Sequence, residues 1–254
     1  MAVTALVPAD DGTARALRER GVSVIRGDLA APGPWQQAAA DAGVIVHAGL
    51  PQLEPPVRGR QITHLAREAA EGARNLRGAI DAGADVVTAS LWIGDADGPL
   101  QISSPALAAE DALAGDRTRA VRMPWPYGPA GFLRDVARGL LMRRVRIVGS
   151  GGNHIALVGA RDAAAALASA ADAPPGRYAV SEHDPPTQVG LVHHLCAGIG
   201  APRPDHLPPR LASFTMGGVI VEALVADQRV PGPPPPGFAA TQEWRRDLQD
   251  ALRS

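Results

Sequence analysis

The chain has 254 residues with 25 basic and 26 acidic side chains, long enough to bury about three quarters of its unfolded surface as one large domain or one domain with a small lobe. So balanced a charge gives no electrostatic footprint for nucleic acid or for an anionic membrane surface. Lysine is absent throughout, which excludes Schiff-base chemistry, a P-loop lysine and any Tyr/Lys catalytic pair.

The single cysteine, Cys196, allows no internal disulfide, and no Cys/His cluster has metal-ligand spacing, so no metal is expected. The first residues lack the basic and apolar regions of a signal peptide, and no apolar run of about 18 residues follows. A cytoplasmic protein is the expectation.

In chain order, short apolar runs alternate with longer helical stretches. Strands are predicted at residues 3–7, 22–26, 44–48, 86–90, 119–123, 145–148 and 178–180, and helices at 13–20, 35–41, 63–82, 105–113, 132–141, 161–171 and 187–197. Ser104 before Pro105 reads as a helix start, with Ser as the cap. Continuous Val/Ile strands joined by helices imply an α/β protein, a Rossmann-like doubly wound parallel sheet.

After about residue 200 the pattern changes to helices, expected at 211–226 and 241–252, and Pro-rich loop. The prolines of 231–236 require an extended connector. The division expected is a core over 1–150, then over 151–254 the remaining core strand and helix with a small, mostly helical C-terminal cap lobe.

Several segments in this order resemble the extended short-chain dehydrogenase/reductase superfamily, in its NAD-dependent epimerase/dehydratase branch. Gly21-Val-Ser-Val-Ile-Arg-Gly-Asp-Leu29 is similar to that family's third strand, whose Asp, here Asp28, usually contacts adenine. Val44-Ile-Val-His-Ala-Gly49 resembles the fourth strand. Glu71-Gly-Ala-Arg-Asn-Leu76 resembles the long helix that follows, and Thr88-Ala-Ser90 the strand end that offers a catalytic Ser or Thr. Arg122-Met-Pro-Trp-Pro-Tyr-Gly-Pro129 resembles the loop at the substrate pocket. Gly149-Ser-Gly-Gly-Asn153 and Ala156-Leu-Val-Gly-Ala-Arg-Asp162 resemble a later motif and its helix.

The departures from that family are equally specific. Residues 1–7 align with its second strand, so its first strand and Gly-rich turn, roughly 30 residues, have no counterpart. That turn anchors the dinucleotide pyrophosphate. The Tyr-x-x-x-Lys pair fails as well: only Tyr127 and Tyr178 exist, with Gly131 and Glu182 four residues later, and the helix that should carry the pair begins near Ile102 and Ala106. These absences imply that no cofactor is expected, with Asp28 as a remnant of the site. They also imply that residues 3–7 pair directly with 44–48, that another chain supplies a strand, or that the natural gene starts upstream.

Sites in open parallel sheets lie at the carboxyl ends of the strands. There His47 can act as acid or base or merely pack, and Ser90, or Thr88 in a shifted register, can polarise a carbonyl or cap a loop. Tyr127 offers a phenolic donor or a turn residue. Trp92 can stack on a flat substrate, Asp95 can pair with His47, and Trp125 lines the pocket or packs under the cap. Asn153 and His154 follow a glycine run that lets a ligand approach the backbone.

The reading is a cofactor-independent acid–base enzyme (isomerase, dehydratase, lyase or cyclase) with His47, Ser90 and Tyr127 as catalytic residues. Its substrate is a small natural-product-like molecule. The alternatives are a non-catalytic pseudoenzyme or binding partner, and a truncated NAD(P)-dependent epimerase or reductase. A homo-oligomer or pairing with another chain is compatible with each, and neither nucleic acid nor membrane is expected as a partner.

Overall fold

In the computed structural model, which describes residues 2–49, 53, 56–128 and 132–253, the predicted alternation is realised almost strand for strand. The first half runs β1 (Thr4–Val7), α1 (Gly12–Glu19), β2 (Ser23–Arg26), α2 (Trp35–Ala40), β3 (Val44–His47), α3 (Gly59–Ala79) and β4 (Asp85–Leu91). A small hairpin of β5 (Gly94–Asp95) and β6 (Gly98–Pro99) leads to α4 (Ser104–Ala112), β7 (Thr118–Met123), β8 (Trp125–Tyr127) and α5 (Phe132–Leu141). Then come β9 (Ile147–Val148), β10 (Leu157–Gly159), α6 (Ala160–Ala171), β11 (Gly176–Ala179), α7 (Gln188–Ile199) and β12 (His206–Leu207). The chain closes with α8 (Pro209–Met216), α9 (Gly218–Val225) and α10 (Trp244–Arg253).

The central sheet has four parallel strands in the order β11-β7-β4-β3. β4 is its spine, and its alternation divides two apolar layers. Val87 and Ala89 pack with Val121, Met123 and the α6 residues Ala163, Ala166 and Ala170. Val86, on the opposite face, packs with Ala73 and Leu76 of α3 and Ala109 of α4. Every residue from Val86 to Leu91 is buried, so the strand is covered on both faces, as a parallel, helix-covered sheet requires.

Two expectations are corrected. β1 does not pair with β3; among the described residues it pairs only with β2, in parallel, as a separate two-stranded ladder. Leu6, Ile25 and Ile45 nevertheless pack against one cluster on α2 and α3, so the two ladders share a helix layer without sharing a hydrogen bond. Ser104 is not a cap either. α4 is preceded by Ser103, whose hydroxyl accepts from the Ile93 amide at 2.8 Å and donates to the Ile93 carbonyl at 3.0 Å, tying the helix start to the chain leaving β4.

The carboxyl-terminal lobe packs α5, α7, α9 and α10 around Tyr127, Leu133, Leu140, Leu157, Leu195 and Leu248. The helix expected at 211–226 is broken into α8 and α9 at Gly217, whose φ of 86° is left-handed. The Pro-rich segment is an extended connector, as expected, and its Pro233 carbonyl accepts from the Ala179 amide at 2.8 Å, beside the sheet edge. No helix among the described residues is long and apolar enough to cross a membrane.

A Cβ at position 217 would overlap the Val57 carbonyl as well as strain a positive φ. Gly217→Ala is therefore expected to destabilise the fold by about 2 kcal/mol or more, read as a lower midpoint in urea denaturation at unchanged slope. An unchanged midpoint would show that the break between α8 and α9 is not locked.

Candidate functional site

β4 ends on Thr88-Ala-Ser-Leu91, and the period of two that sends Ala89 into the α6 layer sends Thr88 and Ser90 towards α4. Both are fully buried. In the ladder His47 stands beside Thr88, and Arg122 beside Ser90. The carboxyl ends of β3, β4 and β7 thus carry one row of polar side chains on one face of the sheet.

His47 Nδ1 lies 3.2 Å from Thr88 Oγ1. Burial holds the imidazole below its usual pKa, so near neutral pH it is uncharged, with one ring nitrogen a donor and the other an acceptor. Behind Ser90, Arg122 grips Glu110 of α4 with two bonds, Nη2 to Oε1 at 2.7 Å and Nε to Oε2 at 3.2 Å, and Arg177 adds a third at 2.9 Å. Burial opposes ionisation of Glu110, but Arg122, the adjacent Ser90 hydroxyl and Arg177 outweigh it and keep the carboxyl below its ordinary range. The fork fixes α4 against β7 and so fixes the wall of the site.

Three buried polar atoms have no hydrogen-bond partner at full geometry: Ser90 Oγ, Trp92 Nε1 and Trp125 Nε1. Ser90 belongs to β4, Trp92 follows it directly and Trp125 follows β7 after one proline. Trp92 is not open for stacking on a ligand as expected, because the Arg122 guanidinium covers its ring at 4.3 Å. Trp125 stacks on Phe132 of α5 with centroids 4.9 Å apart.

The other expected residues lie elsewhere. Asp95 does not pair with His47; its carboxylate accepts from the Asp97 amide at 2.9 Å within the hairpin turn. Asn153 donates to the Leu224 and Ala226 carbonyls, both at 2.9 Å, and His154 Nδ1 is 2.8 Å from Asp227, so the pair ties the glycine loop to the end of α9. Asp28 closes a turn through the Ala30 amide at 2.9 Å. Ile102 and Ala106, near which the helix that should carry the Tyr-x-x-x-Lys pair begins, are both buried in the apolar cluster around Leu133 and Leu195.

Tyr127 is not joined to His47 or Ser90 by any described contact. Its hydroxyl donates to Glu182 at 2.5 Å, and burial followed by the Glu182 carboxylate pushes its pKa far up. Burial also raises the Glu182 carboxyl. Glu182 lines a cavity of about 330 Å³ with Asp184, Gln242, Trp244 and Arg245. Sequence reasoning passed over it, although it stands three residues beyond the end of β11, where the strand-end rule applies as it does to Ser90.

These shifts set the pH response. His47 and Glu110 have folded pKa values below their unfolded ones, so their contributions are present above those values and lost as pH falls, from about pH 6.5 downward for the histidine. Tyr127 is shifted the other way, so its contribution is present below about pH 10 and lost above it. Denaturant midpoints at pH 5 to 11 should fall at both ends. His47→Gln should flatten the acid limb near pH 6, and Tyr127→Phe the alkaline limb; parallel profiles for wild type and variants would contradict the assignments.

No family model matches the chain, and no curated protein sequence does. Solved structures do match. One, MoeE5 in complex with UDP-glucose and NAD, is 20% identical with a TM-score of 0.69, over 100% of this chain and 99% of that one. Human epimerase family protein SDR39U1 (isoform 2) with NADPH is 19% identical with a TM-score of 0.72, over 100% and 99%. The dTDP-4-dehydrorhamnose reductase of Bacillus anthracis in complex with NADP is 16% identical with a TM-score of 0.66, over 100% and 98%. The expectation of no cofactor is overturned by these structures, each of which holds a nicotinamide dinucleotide. This chain has the fold of these solved structures, a Rossmann-like parallel sheet flanked by helices.

Proposed function

We propose that the protein is an enzyme acting by proton transfer, in an isomerisation or elimination, on a small oxygen-rich molecule of the nucleotide-sugar kind, at the polar row on β3, β4 and β7. The observation that carries this reading is the pair of unpartnered buried indole nitrogens, Trp92 Nε1 and Trp125 Nε1, near the end of β4 where the Ser90 hydroxyl meets the Glu110 carboxylate short of full hydrogen-bond geometry. Each such group costs about 1–3 kcal/mol when left unpaired, a cost that substrate oxygens remove. Ser90 then polarises a carbonyl or hydroxyl, and His47, uncharged beside Thr88, takes or returns the proton. The UDP-glucose and UDP-glucuronic acid held by MoeE5 support the substrate class.

A nicotinamide dinucleotide is part of this proposal because neighbours of the same fold hold one. The residues fit it at one end only. Asp28, exposed after β2, stands where the resemblance puts the adenine contact. No glycine-rich turn from strand to helix N-terminus lies between β1 and β3 among the described residues to hold its diphosphate. No step is derived through the group.

A second reading has its own observation. Ile102 and Ala106, near which the helix that should carry the catalytic Tyr and Lys begins, are buried and apolar, which favours a ligand-binding relative without turnover.

Calorimetric titration with UDP-glucose, alone and with each of NAD⁺, NADH, NADP⁺ and NADPH at millimolar concentration, tests the site. Ser90→Ala should weaken UDP-glucose about tenfold, equivalent to about 1.4 kcal/mol, while lowering stability by no more than about 1 kcal/mol, since the Glu110 carboxylate that the hydroxyl meets is still held by Arg122 and Arg177. Folded protein giving no heat with any of these ligands, or equal affinity in the variant, would overturn the proposal.

A further inference from the structure

Charge that balances over the whole chain does not balance locally. Residues 134–146 hold five arginines and one acidic residue, Asp135, on α5 and the turn that leads from it into β9. The inward side of α5 is Leu133, Ala137 and Leu140, all buried. The helical period therefore turns Arg138, Leu141 and Met142 away from the interior, and Leu141 and Met142 are exposed at 58% and 54%.

The turn that closes this helix is one that arginine makes at a cost. The Arg144 amide donates to the Gly139 carbonyl at 2.8 Å and the Arg143 amide to the Leu140 carbonyl at 3.0 Å. In that pairing the first residue past the cap is left-handed and is usually glycine. Here it is Arg143, with a φ of 57°, the one non-glycine residue of positive φ among the described residues. Arg146 braces the turn by donating to the Arg143 and Val145 carbonyls at 2.8 and 3.0 Å. Val145 closes on Gly139, where a Cβ would come within 2.8 Å of its Cγ2. The braced turn holds Arg143 and Arg144 out in solvent, and among the described residues no carboxylate pairs with Arg138, Arg143 or Arg144.

We propose that this end of α5 docks on an anionic lipid bilayer, with Leu141 and Met142 in the boundary between headgroups and acyl chains and Arg138, Arg143 and Arg144 on lipid phosphates. Unpaired arginines beside exposed apolar side chains are the makings of an interfacial anchor, and the guanidinium fork matches phosphate oxygens. Leu141 and Met142 are consecutive, so they point about 100° apart around the helix. A rigid protein face meets one of them, whereas a fluid boundary receives both. RNA would engage the arginines and leave both apolar side chains in water.

The chain then lies on the surface, and no described helix is long and apolar enough to cross a membrane. The expectation of no membrane partner rested on 25 basic against 26 acidic residues, a balance that averages this helix end away. Arginines at a helix carboxyl terminus also suit the helix dipole, so the test must separate that role from lipid binding.

Co-sedimentation of the 254-residue chain with large phosphatidylcholine vesicles, and with vesicles in which about one third of the lipid is phosphatidylglycerol, makes the separation. The chain should bind the anionic vesicles at least about tenfold more tightly than the neutral ones, and about 0.5 M salt should remove most of that difference. Arg143→Gly relieves the left-handed arginine, so the thermal midpoint should stay or rise, while binding to anionic vesicles weakens about fivefold. Leu141→Ser combined with Met142→Ser should weaken it by about fivefold or more at an unchanged midpoint.

Three outcomes would each overturn the proposal. They are a folded chain that binds both vesicles equally or neither, one that binds single-stranded RNA more tightly than anionic vesicles, and variants that bind those vesicles as well as the parent chain does.

Discussion

The alternation of β4 is the constraint on which the rest of the molecule depends. Val87 and Ala89 must enter one helix layer and Val86 the other, so Thr88 and Ser90 have no freedom in where they point. A slip of one residue would turn both apolar sets to the wrong side at once. The same register sets His47 against Thr88 and Arg122 against Ser90, and the Arg122–Glu110 fork then fixes α4. The site is a consequence of sheet register, and its polar groups are tolerated in a buried strand because they lie at its carboxyl end.

Much of this was legible in the sequence because it is periodic. The short runs centred on apolar residues became β1 to β4 and β7 within about a residue, and α5 spans Phe132–Leu141 as expected. The short strands β8, β10 and β12 were not legible. Trp125-Pro-Tyr127 carries a proline, and two- or three-residue ladders exist only because a partner far along the chain is brought alongside, as β10 is to β8. The break at Gly217 was hidden because the apolar pattern continues on both sides of it, while the turn itself is dictated by the approach to Val57.

The site divides in the same way. His47 and Ser90 were singled out by the rule that functional groups sit at strand ends, which is a local property, and the ladder sets them beside Thr88 and Arg122. Glu110 and Glu182 were missed because their meaning lies in partners, Arg122 and Tyr127, that only the fold brings near. Asn153 and His154 were misassigned for a physical reason. The positive φ of Gly149 and Gly151 turns the loop onto α9 and spends their hydrogen bonds there. The expectation of no cofactor inferred lost binding from a lost motif, whereas the fold it shares is one that holds NAD(P) in solved relatives.

The central claim is that the carboxyl ends of β3 and β4 form the binding site. Backbone amide NMR of the 26.3 kDa chain during titration with UDP-glucose tests it most directly. The account predicts that the largest shift changes fall on His47, Thr88, Ser90 and Trp92, with the Trp92 and Trp125 indole N–H signals moving in step. Changes confined to the cavity around Glu182 and Trp244, with the β3 and β4 signals still, would contradict it.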